Sequence, residues 1–249
     1  MIGNPGLPSN PYPIPGVHPM PRMLAALVLS AGLLLTAAAA DEKDPARDAL
    51  KQVGEFVGEW KGSGEAKTGG KSTLWKETLS WGWKFRGGDA WLALDVKGGK
   101  HVTAGELRYD PQAKLYLLTL TDAAKKERTY EGKLLRGKLA LSHKDAATGD
   151  IHRVMVYTLA DGARMIVHSE VQARGKGLFT DVFKVAANKE GESFAGGGGK
   201  KNVCVVTGGL GTMPVSYMGK TYHVCCSGCR DEFNADPKKY VDEFEKNKK

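Results

Sequence analysis

Hydrophobic positions follow three rhythms along this chain. Between Asp44 and Phe56, Ala46, Leu50 and Val53 recur at helical spacing and Val57 continues the stripe, which predicts a short amphipathic helix. The period then drops to two. Ten segments alternate apolar and polar residues: "WKGSGEAK", "STLWKETLSWGWKF", "AWLALDVK", "HVTAGELRYD", "KLYLLTLTD", "RTYEGKLL", "GKLALSHKD", "IHRVMVYTLAD", "RMIVHSEVQAR" and "GLFTDVFKVAA". Turns built from Gly, Asp, Asn and Lys separate them, at about 12-residue spacing, and no helical pattern intervenes, so an antiparallel meander is expected. A meander of ten strands removes its unpaired edges by closing into a barrel.

The third rhythm begins after "AGGGGKK", residues 195–201. Four consecutive glycines have no side chain to bury, so this run reads as a flexible linker between a barrel domain at 41–194 and a small module at 202–249. In the module, "MPVSYMGKTYHV" reads as a β-hairpin: Val215 and Tyr217 alternate, Met218-Gly219-Lys220 turns, and Tyr222 and Val224 alternate back. "SGCRDEFNADPKKYVDEF" then reads as a helix that breaks and restarts at Asp236-Pro237, with Asp as N-cap and Pro at the first helical position. Phe233, Tyr240, Val241 and Phe244 supply its apolar face. The expected fold class is mainly β, a ten-strand antiparallel barrel with a short N-terminal helix, plus a small α+β cysteine-rich module.

Residues 1–40 read as a leader and a secretory signal peptide. Residues 1–19 are rich in Pro and Gly and carry no Lys, Arg, Asp or Glu, and translation starting at Met20 or Met23 accounts for them. Arg22 supplies the positive region, Leu24 to Leu35 the apolar run, and Ala38-x-Ala40 the small-residue cleavage site, so the mature protein is expected to begin near Asp41, in the periplasm or outside the cell. The competing reading is an uncleaved anchor. The run is near the ~18-residue lower limit for spanning and ends in weakly apolar Ala, so no stable membrane anchor is expected. Removing residues 1–40 changes the net charge only from +8 to +7, and the excess is spread along the chain rather than gathered into a basic stripe. A nucleic-acid partner is not expected.

All four cysteines, Cys204, Cys225, Cys226 and Cys229, lie beyond the glycine run. A piece this small buries too little apolar area to fold comfortably alone and is usually held by a metal or by disulfides. Cys225 and Cys229, at i and i+4, project from one face if both stand at the start of a helix, and thiolates near a helix N-terminus have lowered pKa values that suit metal ligation. Two other chemistries compete. Four cysteines in an exported protein can form two disulfides, in three possible pairings, and Cys226-x-x-Cys229 has the spacing of a thiol-disulfide oxidoreductase, although no βαβ pattern surrounds it. In the barrel, the five tryptophans between Trp60 and Trp91 read as core, and His101, His143, His152 and His168 read as ordinary side chains scattered on separate strands. No nucleophile elbow, phosphate-binding glycine loop or H-E-x-x-H motif argues for an enzyme.

Two resemblances add to this reading. Gly58-Glu59-Trp60, in "FVGEWKGSGE", looks like the G-x-W of lipocalin-type barrels, and "FRGGDAWLALDV" is similar to a family of exported bacterial lipocalin-like barrels; together they cover residues 48–188 and imply a fold. "CVVTGG" and "PVSYMGKTYHVCCSGCRDEFNADPKKYV" resemble the TRASH/YHS metal-binding module over residues 202–241. That resemblance places Cys204, Cys225 and Cys229 on the family's metal cysteines and implies a transition or heavy metal ion as cofactor and partner. Thr207 stands where many relatives have a second knuckle cysteine, and His223 where they have an aromatic residue. The fourth ligand is therefore Cys226, His223 or water. A fourth protein ligand gives a closed tetrahedron suited to structural Zn²⁺, whereas three thiolates suit Cu(I) or metal hand-over. The expected function is non-enzymatic metal binding for sequestration, delivery or sensing. The alternatives are a barrel holding a small apolar ligand, with the module as a structural clip, and a thiol-disulfide oxidoreductase.

Overall fold

The computed structural model describes residues 44–190 and 202–247. The leader and signal peptide (1–40) and the glycine run (195–201) lie outside the described residues. Helix α1 (Pro45–Lys51) and one 3₁₀ turn (Gly54–Phe56) precede ten strands: β1 (Gly58–Thr68), β2 (Lys71–Arg86), β3 (Asp89–Lys97), β4 (Ala104–Asp110), β5 (Leu115–Thr121), β6 (Glu127–Leu135), β7 (Lys138–Lys144), β8 (Ile151–Leu159), β9 (Arg164–Gln172) and β10 (Thr180–Lys189). Each strand pairs antiparallel with its neighbours in sequence, and β10 returns to β1 with Trp60 opposite Lys189 and Gly64 opposite Val185, which closes the barrel. The expected meander is therefore complete.

Closure leaves one asymmetry. At 16 residues β2 is longer than its partners, and its last pair with β1 is Gly58 with Trp81. Residues Gly82 to Arg86 have ladder partners on β3 alone, so the backbone groups facing the β1 side need another partner.

Alternation decides what fills the barrel. On β2, Trp75, Glu77, Leu79, Trp81 and Trp83 are buried at every second position, and Leu92 and Leu94 from β3, Val154 and Val156 from β8, and Phe183 and Val185 from β10 meet them. All five tryptophans are buried; four join the core, and Trp91 lies under the Arg108 guanidinium, 4.3 Å from its ring. The apolar void left at the centre, between Leu79, Leu118, Val156 and Val185, is only ≈ 20 Å³. Ligand pockets start at roughly 300 Å³, so this interior is packing rather than a chamber.

The N-terminal segment plugs one end. Asp44 Oδ1 accepts the N–H groups of Ala46 and Arg47, both at 3.0 Å, and Pro45 opens α1. The helix is shorter than the hydrophobic spacing suggests: it stops at Lys51, and Gly54, a poor helix former, begins the tighter 3₁₀ turn. Leu50, Val53 and Phe56 are still fully buried; Tyr116 donates to the Ala49 carbonyl at 2.8 Å, and Trp60 Nε1 to the Phe56 carbonyl at 2.8 Å. Among the described residues, no helix is long and apolar enough to cross a membrane.

Glu77 is the polar exception inside the wall. Trp75 Nε1 donates to its carboxylate, but burial outweighs that bond and pushes the carboxyl pKa up. Between the unfolded pKa and this raised folded pKa the unfolded chain releases a proton that the folded protein retains, so Glu77 costs stability as pH rises through that window. Glu77→Gln keeps an acceptor for Trp75 and has no charge to bury. Its melting temperature is expected to exceed that of the wild type at pH 7, with the gain vanishing near pH 4; a gain independent of pH would exclude the titration of Glu77 as its source.

The remaining elements are β11 (Met213–Tyr217), β12 (Lys220–Val224), α2 (Ser227–Ala235) and α3 (Pro237–Lys246). Met218 and Gly219 both have positive φ, 48° and 75°, the backbone of a tight two-residue hairpin turn. Asp236 Oδ1 accepts the Lys239 N–H at 3.1 Å and starts α3 at Pro237, as the Asp-Pro signal predicts. Within the described residues, barrel and module pack against each other, α2 on β2 and the Arg47 side chain on the Val206 carbonyl.

Candidate metal centre

Three short pieces of backbone converge on one point. Cys204 sits in a tight knuckle in which the Gly208 N–H bonds the Cys204 carbonyl at 2.8 Å and the Cys204 N–H bonds the Gly209 carbonyl at 2.7 Å. The knuckle docks on β12 through a parallel bridge from Cys204 to His223 and a 2.8 Å bond from the Val205 N–H to the His223 carbonyl. Cys225 follows the last residue of β12. Cys226, with extended backbone (φ −160°, ψ 172°), is the N-cap of α2, and Cys229 is the third residue of that helix. The i, i+4 reading put both Cys225 and Cys229 on the helix; instead the hairpin delivers Cys225 and the helix delivers Cys229.

The Sγ atoms of Cys204, Cys225 and Cys229 all lie within 4.8 Å of one another, and Cys204 and Cys229 are fully buried. Cys225 Sγ is 3.4 Å from Cys229 Sγ and 4.0 Å from Cys226 Sγ. Thiolates around one ion at metal–sulfur distances of about 2.3 Å stand roughly 3.8 Å apart in a tetrahedron, so the observed spacings straddle the value a soft ion requires. They are well beyond the ~2.05 Å of a sulfur–sulfur bond, and all four thiols are free. The donor set fits a metal.

The thiols polarise one another. Hydrogen bonds from Cys225 and then Cys229 hold Cys204 down to about 2, with help from Thr207. The same two donors, joined by the Trp83 N–H, hold Cys226 down to about 3. Cys225 and Cys229 are pushed up, first because each donates to Cys204 and further by burial. The four sulfurs thus share their protons as one coupled group, the kind of cluster from which a soft cation displaces protons on binding.

Among the other candidates, Cys226 stands at the rim of the cluster, beside Cys225. His223 does not join the group: on β12 it alternates with the buried Tyr222 and Val224, and its β-carbon packs against Gly211. Thr207 is buried, with its hydroxyl 3.6 Å from Cys225 Sγ, so the residue replacing a knuckle cysteine still faces the cluster. A second grouping, His168, Glu170 and Asp181, lies on the barrel wall; there His168 Nε2 bonds Asp181 at 2.8 Å and Arg153 bonds Glu170, so these groups already have partners in the fold.

One participant carries no signature in the sequence. The Trp83 N–H, on the overhang of β2, donates to Cys226 Sγ at 3.3 Å across 143 residues of chain. Gly228, in the first turn of α2, lies so close to the Trp83 carbonyl that a β-carbon would fall on the oxygen. Arg47 of α1 fastens the same junction: Nη2 donates to the Val206 carbonyl at 3.0 Å, while the guanidinium lies 5.4 Å from the Phe85 ring and 5.7 Å from that of Tyr240.

Residues 212–243 match the YHS domain family. No curated protein matches the chain.

Proposed function

We propose that this protein is an exported, non-enzymatic metal binder that holds one soft transition-metal ion, Zn²⁺ or Cu(I), for sequestration, delivery or sensing outside the cytoplasm. The observation that carries the reading is the convergence of the Cys204, Cys225 and Cys229 sulfurs within 4.8 Å, two of them sealed from water. Thiolate ligands select Zn²⁺ and Cu(I) over hard cations. Cys226 supplies the fourth sulfur, since it lies 4.0 Å from Cys225, and the neighbouring thiols and the Trp83 N–H favour its thiolate form. The signal-like pattern at Arg22 to Ala40 supports export.

The test is native mass spectrometry of the full chain, prepared reduced and metal-free and titrated separately with Zn²⁺ and Cu(I). One ion per chain is expected, removable by a chelator, with the thiols then free to alkylate. The same chain purified without reductant, if lighter by four hydrogens and unable to take up metal, would instead be a disulfide-stapled domain. Chelator competition also ranks the fourth position. Cys226→Ser is expected to weaken binding more than His223→Ala, and the reverse order would assign the imidazole.

A further inference from the structure

The end of the barrel away from α1 carries a different chemistry. On β5, Tyr116 bonds α1, while Leu120 at the other end of the strand lines a half-open cavity of ≈ 420 Å³. That volume falls in the range of small-molecule sites, roughly 300–1,000 Å³. Its floor is closed, because the void beneath it is ≈ 20 Å³.

Arg128 gives the cavity its character. On β6 it lies two residues before the buried Tyr130 and so shares the inward face of the strand. Both residues line the cavity. Among the described residues the Arg128 side chain makes no hydrogen bond or ion pair, while its backbone pairs with Leu120 of β5. The two nearby carboxylates are engaged in their own turns: Asp122 Oδ1 accepts the N–H groups of Ala124 and Lys126, and Asp145 Oδ1 those of Ala147 and Thr148. Asp145 is a counter-charge within reach: its turn N–H groups hold its carboxyl down, and Lys126 and Arg128 add to that, yet the half-buried Arg128 guanidinium bonds no oxygen of the described residues, so its fork stays open to an acceptor in the cavity. Lys100 and Lys126 add two more cations at the rim, against Asp122 as the one carboxylate lining the cavity.

The opposite wall is flat and aromatic. His101 stacks on Phe183, with centroids 4.7 Å apart and 12° between the planes, and its other neighbour is Trp75 at 5.3 Å. His152 completes the lining beside Arg128. Burial pushes both histidines down, so near neutral pH they are hydrogen-bonding rings and the positive charge comes from Arg128 and the two lysines.

We propose that this cavity is a second binding site, for a small organic anion: a carboxylate or phosphate gripped by Arg128, on a compact planar body laid against His101 and Phe183. The guanidinium fork matches the two oxygens of such a group. The filled interior sets the size limit, so a long acyl chain has no room to descend. The site is independent of the cysteine cluster.

Calorimetric titration of the full chain with 2-naphthoate, phenyl phosphate and the neutral isostere 2-naphthamide tests it. The anions are expected to bind saturably, and the naphthoate at least ~10-fold more tightly than the amide, the share expected of one charge-assisted contact. Arg128→Gln is expected to remove that advantage and Arg128→Lys to retain part of it, with metal stoichiometry at the cysteines unchanged as the control for folding. Equal affinity for naphthoate and naphthamide on the wild-type chain, which needs no variant, would overturn the proposal. So would the absence of saturable binding by both anions.

Discussion

Cys229→Ser is expected to abolish stoichiometric metal binding, and the loss should exceed the ~10–100-fold that removal of an outer-shell partner costs. Cys229 is fully buried, lies 3.4 Å from Cys225 and belongs to the group in which all three sulfurs are mutual neighbours. Serine places a harder oxygen on a shorter arm, and no spare cysteine can move in, since Cys204, Cys225 and Cys226 are already assigned to the same site. Differential scanning calorimetry gives a second readout. At free metal 100 times above Kd, a folded-state ligand stabilises by about 2.7 kcal/mol, and that metal-dependent shift should disappear in the variant. Full occupancy of Cys229→Ser would place the ion somewhere other than this cluster.

Gly228→Val tests the junction instead of the ligand set. The first turn of α2 lies on β2 with no room for a β-carbon at position 228, and both obstructing atoms belong to backbone, which cannot rotate away. Overpacking of this kind typically costs about 1–3 kcal/mol. Because barrel and module pack as one unit, the wild-type chain is expected to melt in a single transition. The variant is expected to melt in two, module first. Metal affinity should fall by ~10–100-fold as Cys226 loses the Trp83 N–H, a supporting contact outside the ligand set. A variant with one unshifted transition and wild-type affinity would mean that the junction stabilises neither the fold nor the site.

The barrel was legible because alternation is a local signal. The period-two run through Trp75, Leu79, Trp81 and Trp83 states which face is inward, and ten such runs without helices leave closure as the economical answer. The hairpin and the Asp236 cap were legible for the same reason, since each depends on residues within a few positions. Where helix phase alone was used, at Cys225 and Cys229, the sequence placed both sulfurs on one element and the structure divides them between two, because the extended Cys226 starts α2 at Ser227. His223 has the chemical type of a ligand, and its phase opposite the buried Tyr222 and Val224, which sets it apart from the three-sulfur group, was already readable. Contacts made by a backbone amide, like that of Trp83, leave no trace in residue identity. The meeting of Arg128 with His101 and His152 depends on the register of strands far apart in sequence, which a single chain does not reveal.

The overhang of β2 gives the module one more consequence. Released from Cys226 and Gly228, residues Gly82 to Arg86 would present a bare row of donors and acceptors flanked by Trp83 and Phe85, a template onto which a second copy of the chain can add a strand. Lys84 and Arg86, both exposed, repel such an approach only weakly at physiological salt. Undocking of the module, as Gly228→Val is designed to cause, would then be read out as concentration-dependent self-association, so solubility reports whether the junction is closed.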